Sequence, residues 1–150
     1  MRGSADGSAS HGGIPDVTRT RPCTAEVRRG RLRKATQFLD AANLLSDLAG
    51  QDGESADVYV TLCVHAGIAA SDVICCARTG QHAEGDDHGE ALALLATADK
   101  RAASHLRTLL SMKTKAGYSH AAATADDCKR AGRAAEALVE AARRANAATA

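Results

Sequence analysis

Two groups of side chains in this sequence have residue types and spacing suited to chemistry. Lys113, Lys115, Tyr118 and His120 fall within one short segment. Lysine can neutralise charge developing on a phosphorane, histidine can exchange a proton near neutral pH, and a tyrosine hydroxyl can orient either. That combination suits RNA cleavage by attack of a 2′-OH on the neighbouring phosphate, with Lys115, Tyr118 and His120 as catalytic residues and Lys113 as a phosphate contact. The alternative is a basic, polar connection between helices. His65 and Asp72 form the second group. They lie seven apart, about two helical turns, and so share one side of a helix beside its apolar stripe. A carboxylate there is costly unless paired, so Asp72 needs a partner from another helix: a histidine, Lys113, Lys115 or Tyr118. The functional reading is a polar binding pocket between helices that includes His65, Asp72 and His88; the structural one is a satisfied hydrogen-bond network.

Other chemistries find less support. His82, His88, His105 and His120, with Asp86 and Asp87, contain no His-x-x-x-His, no Glu-x-x-His and no carboxylate set repeated on two helices, so no metal site is assigned. No nucleophile stands in a Gly-flanked elbow, no Gly-x-x-x-x-Gly-Lys loop is present, and no cofactor is implied. Five cysteines, Cys23, Cys63, Cys75, Cys76 and Cys128, make an odd count without a Cys-x-x-Cys pair. A disulfide framework is not expected, and Cys63 and Cys76 read as small buried hydrophobes.

The elements that must position these residues are helices. The chain is 45% apolar but only 2% aromatic, and alanine supplies much of the apolar fraction. Small side chains let helices approach closely, whereas strands favour the branched and aromatic residues that are scarce here. The expected fold is all-α, an antiparallel up-down four-helix bundle over residues 23–146. A first helix runs from an N-cap at Thr24 to about Leu48, with Leu32, Ala35, Phe38 or Leu39, Ala42 and Leu45 on its stripe and Gly50 closing it. A second runs from Ser55 to near Arg78, with Gly80 just beyond and Val58, Leu62, Ala66, Ala69, Val73 and Cys76 at spacings of three and four. Asp87 with Glu90 resembles a capping box at the head of a third helix carrying Leu92, Leu95, Ala98, Ala102, Leu106, Leu109 and Met112. The segment 113–120 is a hinge at Gly117, and a fourth helix extends from Ala121 or Thr124 to about Arg144.

The net charge of +1 hides a division. Residues 1–34 hold 8 Lys and Arg against 3 Asp and Glu, while residues 35–150 hold 11 against 15. Arg28, Arg29, Arg31, Arg33 and Lys34 are suited to phosphate or an acidic partner, or else form a solvated helix face. Residues 1–22, rich in Gly, Ser, Thr and Arg, read as a disordered basic arm. No apolar run reads as a membrane span and no signal-peptide core is present, so a cytoplasmic protein is expected.

Three segments together resemble the HEPN superfamily of small helical bundles: residues 63–72 (CVHAGIAASD), 85–95 (GDDHGEALALL) and 109–118 (LLSMKTKAGY). The resemblance spans about residues 31–144. It implies a four- or five-helix bundle that often dimerises. Many members are metal-independent endoribonucleases of toxin–antitoxin or defence systems, with an antitoxin-type protein partner; others bind RNA or nucleotides without catalysis. Catalytic members carry Arg, four to six residues, then His. Here Arg78 and Arg101 each stand only three intervening residues before His82 and His105, no Arg has the required interval, and Lys115 and Lys113 stand four and six intervening residues before His120. Lysine offers a point charge where arginine offers a planar fork. The functions expected are therefore RNA or nucleotide binding with at most weak endoribonuclease activity, or a non-catalytic protein-protein interaction module.

Overall fold

The computed structural model describes residues 19–49, 53–85 and 87–149. Most of the expected N-terminal arm (residues 1–18) and the expected helix stop at Gly50 lie outside them. The described residues form five helices and one small ribbon: β1 (Thr20–Pro22), α1 (Ala25–Ala49), α2 (Ala56–Thr79), β2 (Gln81–Ala83), α3 (His88–Ala98), α4 (Lys100–Gly117) and α5 (Ala125–Thr149). The described residues are all-α apart from that ribbon.

Local chemistry explains where the helices begin and end. The Thr24 hydroxyl accepts from the Val27 N–H (3.1 Å), which caps α1. At the far end of α2, Gly80 takes a left-handed conformation (φ 76°) and its N–H returns to the Cys76 carbonyl (3.0 Å). Thr124 and Asp127 cap α5 reciprocally: the Thr124 hydroxyl accepts from the Asp127 N–H (3.0 Å), and the Asp127 carboxylate accepts from the Thr124 N–H (2.9 Å). Helix α4 continues through the expected hinge to Gly117, so the connection to α5 is shorter than the sequence suggests.

The third helix of the sequence reading is two helices. Asp99 separates them with an extended backbone (φ −162°, ψ 102°). Its N–H bonds the Leu95 carbonyl (2.7 Å), ending α3, and its carboxylate accepts from the Ala102 N–H (3.0 Å), starting α4. Upstream, Asp87 caps α3 through the Gly89 and Glu90 N–H groups (2.9 and 3.1 Å). Glu90 does not return to the Asp87 N–H, as a capping box requires; its carboxylate accepts from the Arg19 N–H (3.2 Å).

Helix α2 lies at the centre. Its buried residues Val60, Cys63, Val64, Ala66, Ala70, Val73 and Ile74 meet Ala35, Leu39 and Ala42 of α1, Leu106 and Leu109 of α4, and Ala135, Leu138 and Val139 of α5. Side-chain pairs fix the directions. Phe38 with His65 and Arg31 with Asp72 make α1 antiparallel to α2. Asp57 with the Ala123 N–H (2.8 Å) and Cys128 with the Ala56 carbonyl (4.0 Å) make α5 parallel to it. The alanine-rich faces allow this crowding, and Gly67 marks its tightest point. A Cβ there would overlap Leu109 Cδ1, which is fully buried, and would stand 3.1 Å from Leu138 Cδ1. Ser71 is the one buried polar side chain among the described residues, and its hydroxyl is satisfied by the Gly67 carbonyl (2.8 Å).

Contrary to the sequence reading, α2 is long and apolar enough to cross a membrane by length and composition. Two-thirds of its most apolar window (67%) is buried inside the protein, so the protein's own core accounts for its apolar character.

Candidate functional site

The residues singled out in the sequence do not form one cluster. Asp57, at the head of α2, and Asp72 are fifteen residues apart, about 22 Å at the helical rise. The two polar groups lie at these opposite ends.

At the end where α1 begins and α2 finishes, the Asp72 carboxylate accepts from Arg31 Nε (2.9 Å). This corrects the expected partners, since neither a lysine nor Tyr118 reaches it. Asp72 keeps only 16% of its side-chain surface exposed. Burial pushes its pKa up, and the Arg31 guanidinium and then His82 and His88 oppose that shift. The geometry thus gathers Arg31, Asp72, His82 and His88. The sequence names Arg31 only within a basic run suited to phosphate or an acidic partner or else a solvated face; its pairing with Asp72, 41 residues on, carries no local signal.

Around this group lies the cationic half of α1. Arg28 donates to Asn146 of α5 (2.8 Å). Arg29, Arg33 and Lys34 are exposed, and no carboxylate partner meets them among the described residues. Ribbon β1–β2 adds Arg19 and Arg21, the latter paired with Glu84, whose carboxyl that guanidinium holds below its ordinary pKa. The ribbon is antiparallel, Thr20 opposite Ala83 and Pro22 opposite Gln81. It replaces the loop expected over residues 81–85 and places the last residues of the expected arm, Thr20–Pro22, in regular structure. A disulfide joins Cys23 to Cys76 across this end. That overturns the reading of Cys76 as a free packing residue: the odd count reflects one bridge and three free thiols, Cys63, Cys75 and Cys128. Burial pushes Cys63 up to about 11 and Cys75 up to about 12, so both stay protonated thiols at neutral pH.

At the opposite end, where α4 meets α5, Lys115 Nζ pairs with Asp127 (3.0 Å). The Thr124 N–H and then Lys115 hold the Asp127 carboxyl down at about 2. The Lys113 ammonium sits 5.5 Å from the centre of the Tyr118 ring, a cation–π contact. Tyr118 is 79% exposed, and His120 is exposed in the connection that follows. Of the expected catalytic residues, Lys115 is thus already neutralised by a carboxylate, and Tyr118 and His120 lie exposed beyond the end of α4.

His65 belongs to neither group. It is exposed and stacks on Phe38 of α1 with ring centroids 5.3 Å apart. His65 and Asp72 do share the α1-facing side of α2, as their spacing predicts. His88, half-buried, opens α3 beside Asp72. Among the described residues, no three His, Cys, Asp or Glu side chains converge as metal ligands would. No protein-family model matches this chain, and no curated protein does.

Proposed function

We propose that this chain is a HEPN-like domain, an antiparallel four-helix bundle with one short additional helix, that binds RNA or a nucleotide through the cationic face of α1. The observation that carries the reading is the set of exposed cations Arg29, Arg33 and Lys34 on the same stretch of α1 as Arg31, which meet no carboxylate among the described residues. Unpaired guanidinium and ammonium groups on a rigid helix are free to replace the counterions of a phosphate backbone. Arg31 is oriented by Asp72, which fixes one guanidinium fork at the edge of that surface. Weak metal-independent cleavage belongs to the same reading. It assigns proton transfer to His120 and phosphate contact to Lys113, with Tyr118 alongside and Lys115 available only when it leaves Asp127.

The direct test is retention and cleavage of a mixed RNA pool at neutral pH with chelator present. Wild type is expected to retain RNA, and Arg29→Ala/Arg33→Ala/Lys34→Ala to lose most of that retention. Any cleavage is expected to disappear in His120→Ala. RNA that stays free and intact with wild type at physiological salt contradicts the reading.

A second reading has its own support. Leu44, Leu48 and Val58 are 60%, 77% and 55% exposed at the end of the molecule away from the cations. Apolar side chains grouped on a surface mark protein contacts. A non-catalytic interaction module, with a second copy of the chain or an antitoxin-type protein as partner, would use that end. Sedimentation analysis of wild type against Leu44→Ser/Leu48→Ser distinguishes self-association from a monomer.

A further inference from the structure

We propose that the Cys23–Cys76 disulfide is a reducible latch: it holds strand β1 on the cationic end of the molecule, and its reduction by a dithiol frees that strand while the helices stay folded.

The argument starts from what else holds β1. The strand is three residues long and mostly exposed. Its noncovalent ties are at the surface: the Thr20 hydroxyl to Gln81 (2.9 Å), Arg21 to Glu84, and the Arg19 N–H to Glu90 (3.2 Å). Backbone bonds from Glu84 N–H to the Arg19 carbonyl and from Cys23 N–H to the Gly80 carbonyl (2.9 Å each) close the ribbon's two ends. An isolated two-stranded ribbon of this size is marginal in water. The disulfide ties this ribbon to α2 covalently, across a sequence separation of 53. It closes that loop in the unfolded chain as well, so the bond favours the ordered ribbon.

The helical core does not depend on the bond. Cys76 occupies the last turn of α2, four residues before Gly80, whereas the fully buried contacts of α2 run from Val60 to Ile74. Releasing Cys23 removes no side chain from that core. The two sulfurs also differ in access: Cys23 is half-buried and Cys76 is buried, only 5% exposed. A dithiol therefore attacks Cys23 Sγ. The Cys23–Cys76 bond breaks, Cys76 leaves as a thiolate and takes a proton, and a mixed disulfide forms on Cys23. The second thiol of the reductant then closes on the first, Cys23 departs as a thiol, and the reductant leaves as a cyclic disulfide. Two electrons pass to the protein. In a reducing compartment a bond of this kind acts as a sensor; in an oxidising one it persists. This latch is independent of the RNA reading.

The test is amide hydrogen exchange on the full chain, oxidised and in millimolar dithiothreitol, with thiol labelling alongside and Cys23→Ser as a reductant-free equivalent. The expected result is labelling of Cys23 and Cys76 under native conditions. Exchange should be at least roughly tenfold faster in residues 19–23 and 81–84, with α2, α4 and α5 unchanged. Three results overturn the proposal. One is a bond that resists the reductant until the chain is denatured. Another is reduction or Cys23→Ser that speeds exchange throughout the helices. The third is complete reduction with the ribbon's protection unchanged.

Discussion

The two ends of α2 solve the problem of charge in opposite ways. At its head, Asp57 and Asp127 are engaged by backbone N–H groups, with Lys115 added to Asp127, and the neighbouring apolar residues Leu44, Leu48 and Val58 face solvent. At its tail, Asp72 is nearly buried with one guanidinium as its partner, and Arg29, Arg33 and Lys34 on the same stretch of α1 are exposed and meet no carboxylate among the described residues. A carboxylate given backbone donors at a helix start is stabilised in its charged form. One sunk between two helices is not, even with an arginine beside it. The head is thus a structural junction, and the tail is where the proposed phosphate contacts lie.

The largest expected effect lies between the ends, where both depend on the same packing. Gly67→Ala pushes a Cβ into buried Leu109 and should cost about 1–3 kcal/mol in urea unfolding, loosening head and tail together. A cost confined to one end, read by exchange, would break the picture of α2 as a shared axis. Next is Asp127→Ala, which removes the carboxylate half of the α5 cap and the partner of Lys115 while the Thr124 hydroxyl keeps its N–H donor, and should cost about 1 kcal/mol.

Acid sharpens the comparison. Asp127 titrates below its ordinary value of 3.8, at about 2, so its stabilisation is complete above 3.8 and is lost as the pH falls through that interval. Asp72 is raised, so the folded state binds its proton more tightly than the unfolded chain does. Protonating it as the pH falls favours the fold. Asp127→Ala should therefore flatten the acid loss of stability, and Asp72→Asn should steepen it. At neutral pH, Asp72→Asn should change stability by less than about 1 kcal/mol, because the lost attraction to half-exposed Arg31 is offset by relief of the buried charge. The smallest effect belongs to Leu48→Glu, within about 0.5 kcal/mol by thermal melting, since that side chain is 77% exposed.

How much of this the sequence discloses depends on whether the determinant is local. Helical class and the limits of α1 and α2 follow from apolar periodicity together with Thr24 and Gly80, all short-range signals. The break at Asp99 was hidden because Leu95, Ala98 and Ala102 keep helical spacing straight across it. Only the side chain of Asp99, a good N-cap residue, signals the stop. Arg31 with Asp72 and Cys23 with Cys76 join residues far apart in the chain, and no spacing rule brings such pairs together before the helices are docked. The ribbon is three residues deep, too short for an alternating pattern to register. Of the candidate site, the basic run on α1 and the placement of Lys113, Lys115 and Tyr118 around the end of α4 were legible; the separation of the two by the length of α2 was not.

The measurement that tests the account most directly is the salt dependence of single-stranded RNA binding. Wild type is compared with two triple variants, Arg29→Ala/Arg33→Ala/Lys34→Ala at the tail and Lys113→Ala/Lys115→Ala/Lys129→Ala at the head, where Lys129 is an exposed residue near the start of α5. Each lost phosphate contact reduces the slope of log affinity against log salt by about 0.7. The account predicts a slope shallower by about 2 and a large loss of affinity for the tail variant, against a slope shallower by no more than about 0.7 for the head variant, which loses Lys113. Equal losses at both ends, or a loss confined to the head variant, would contradict it.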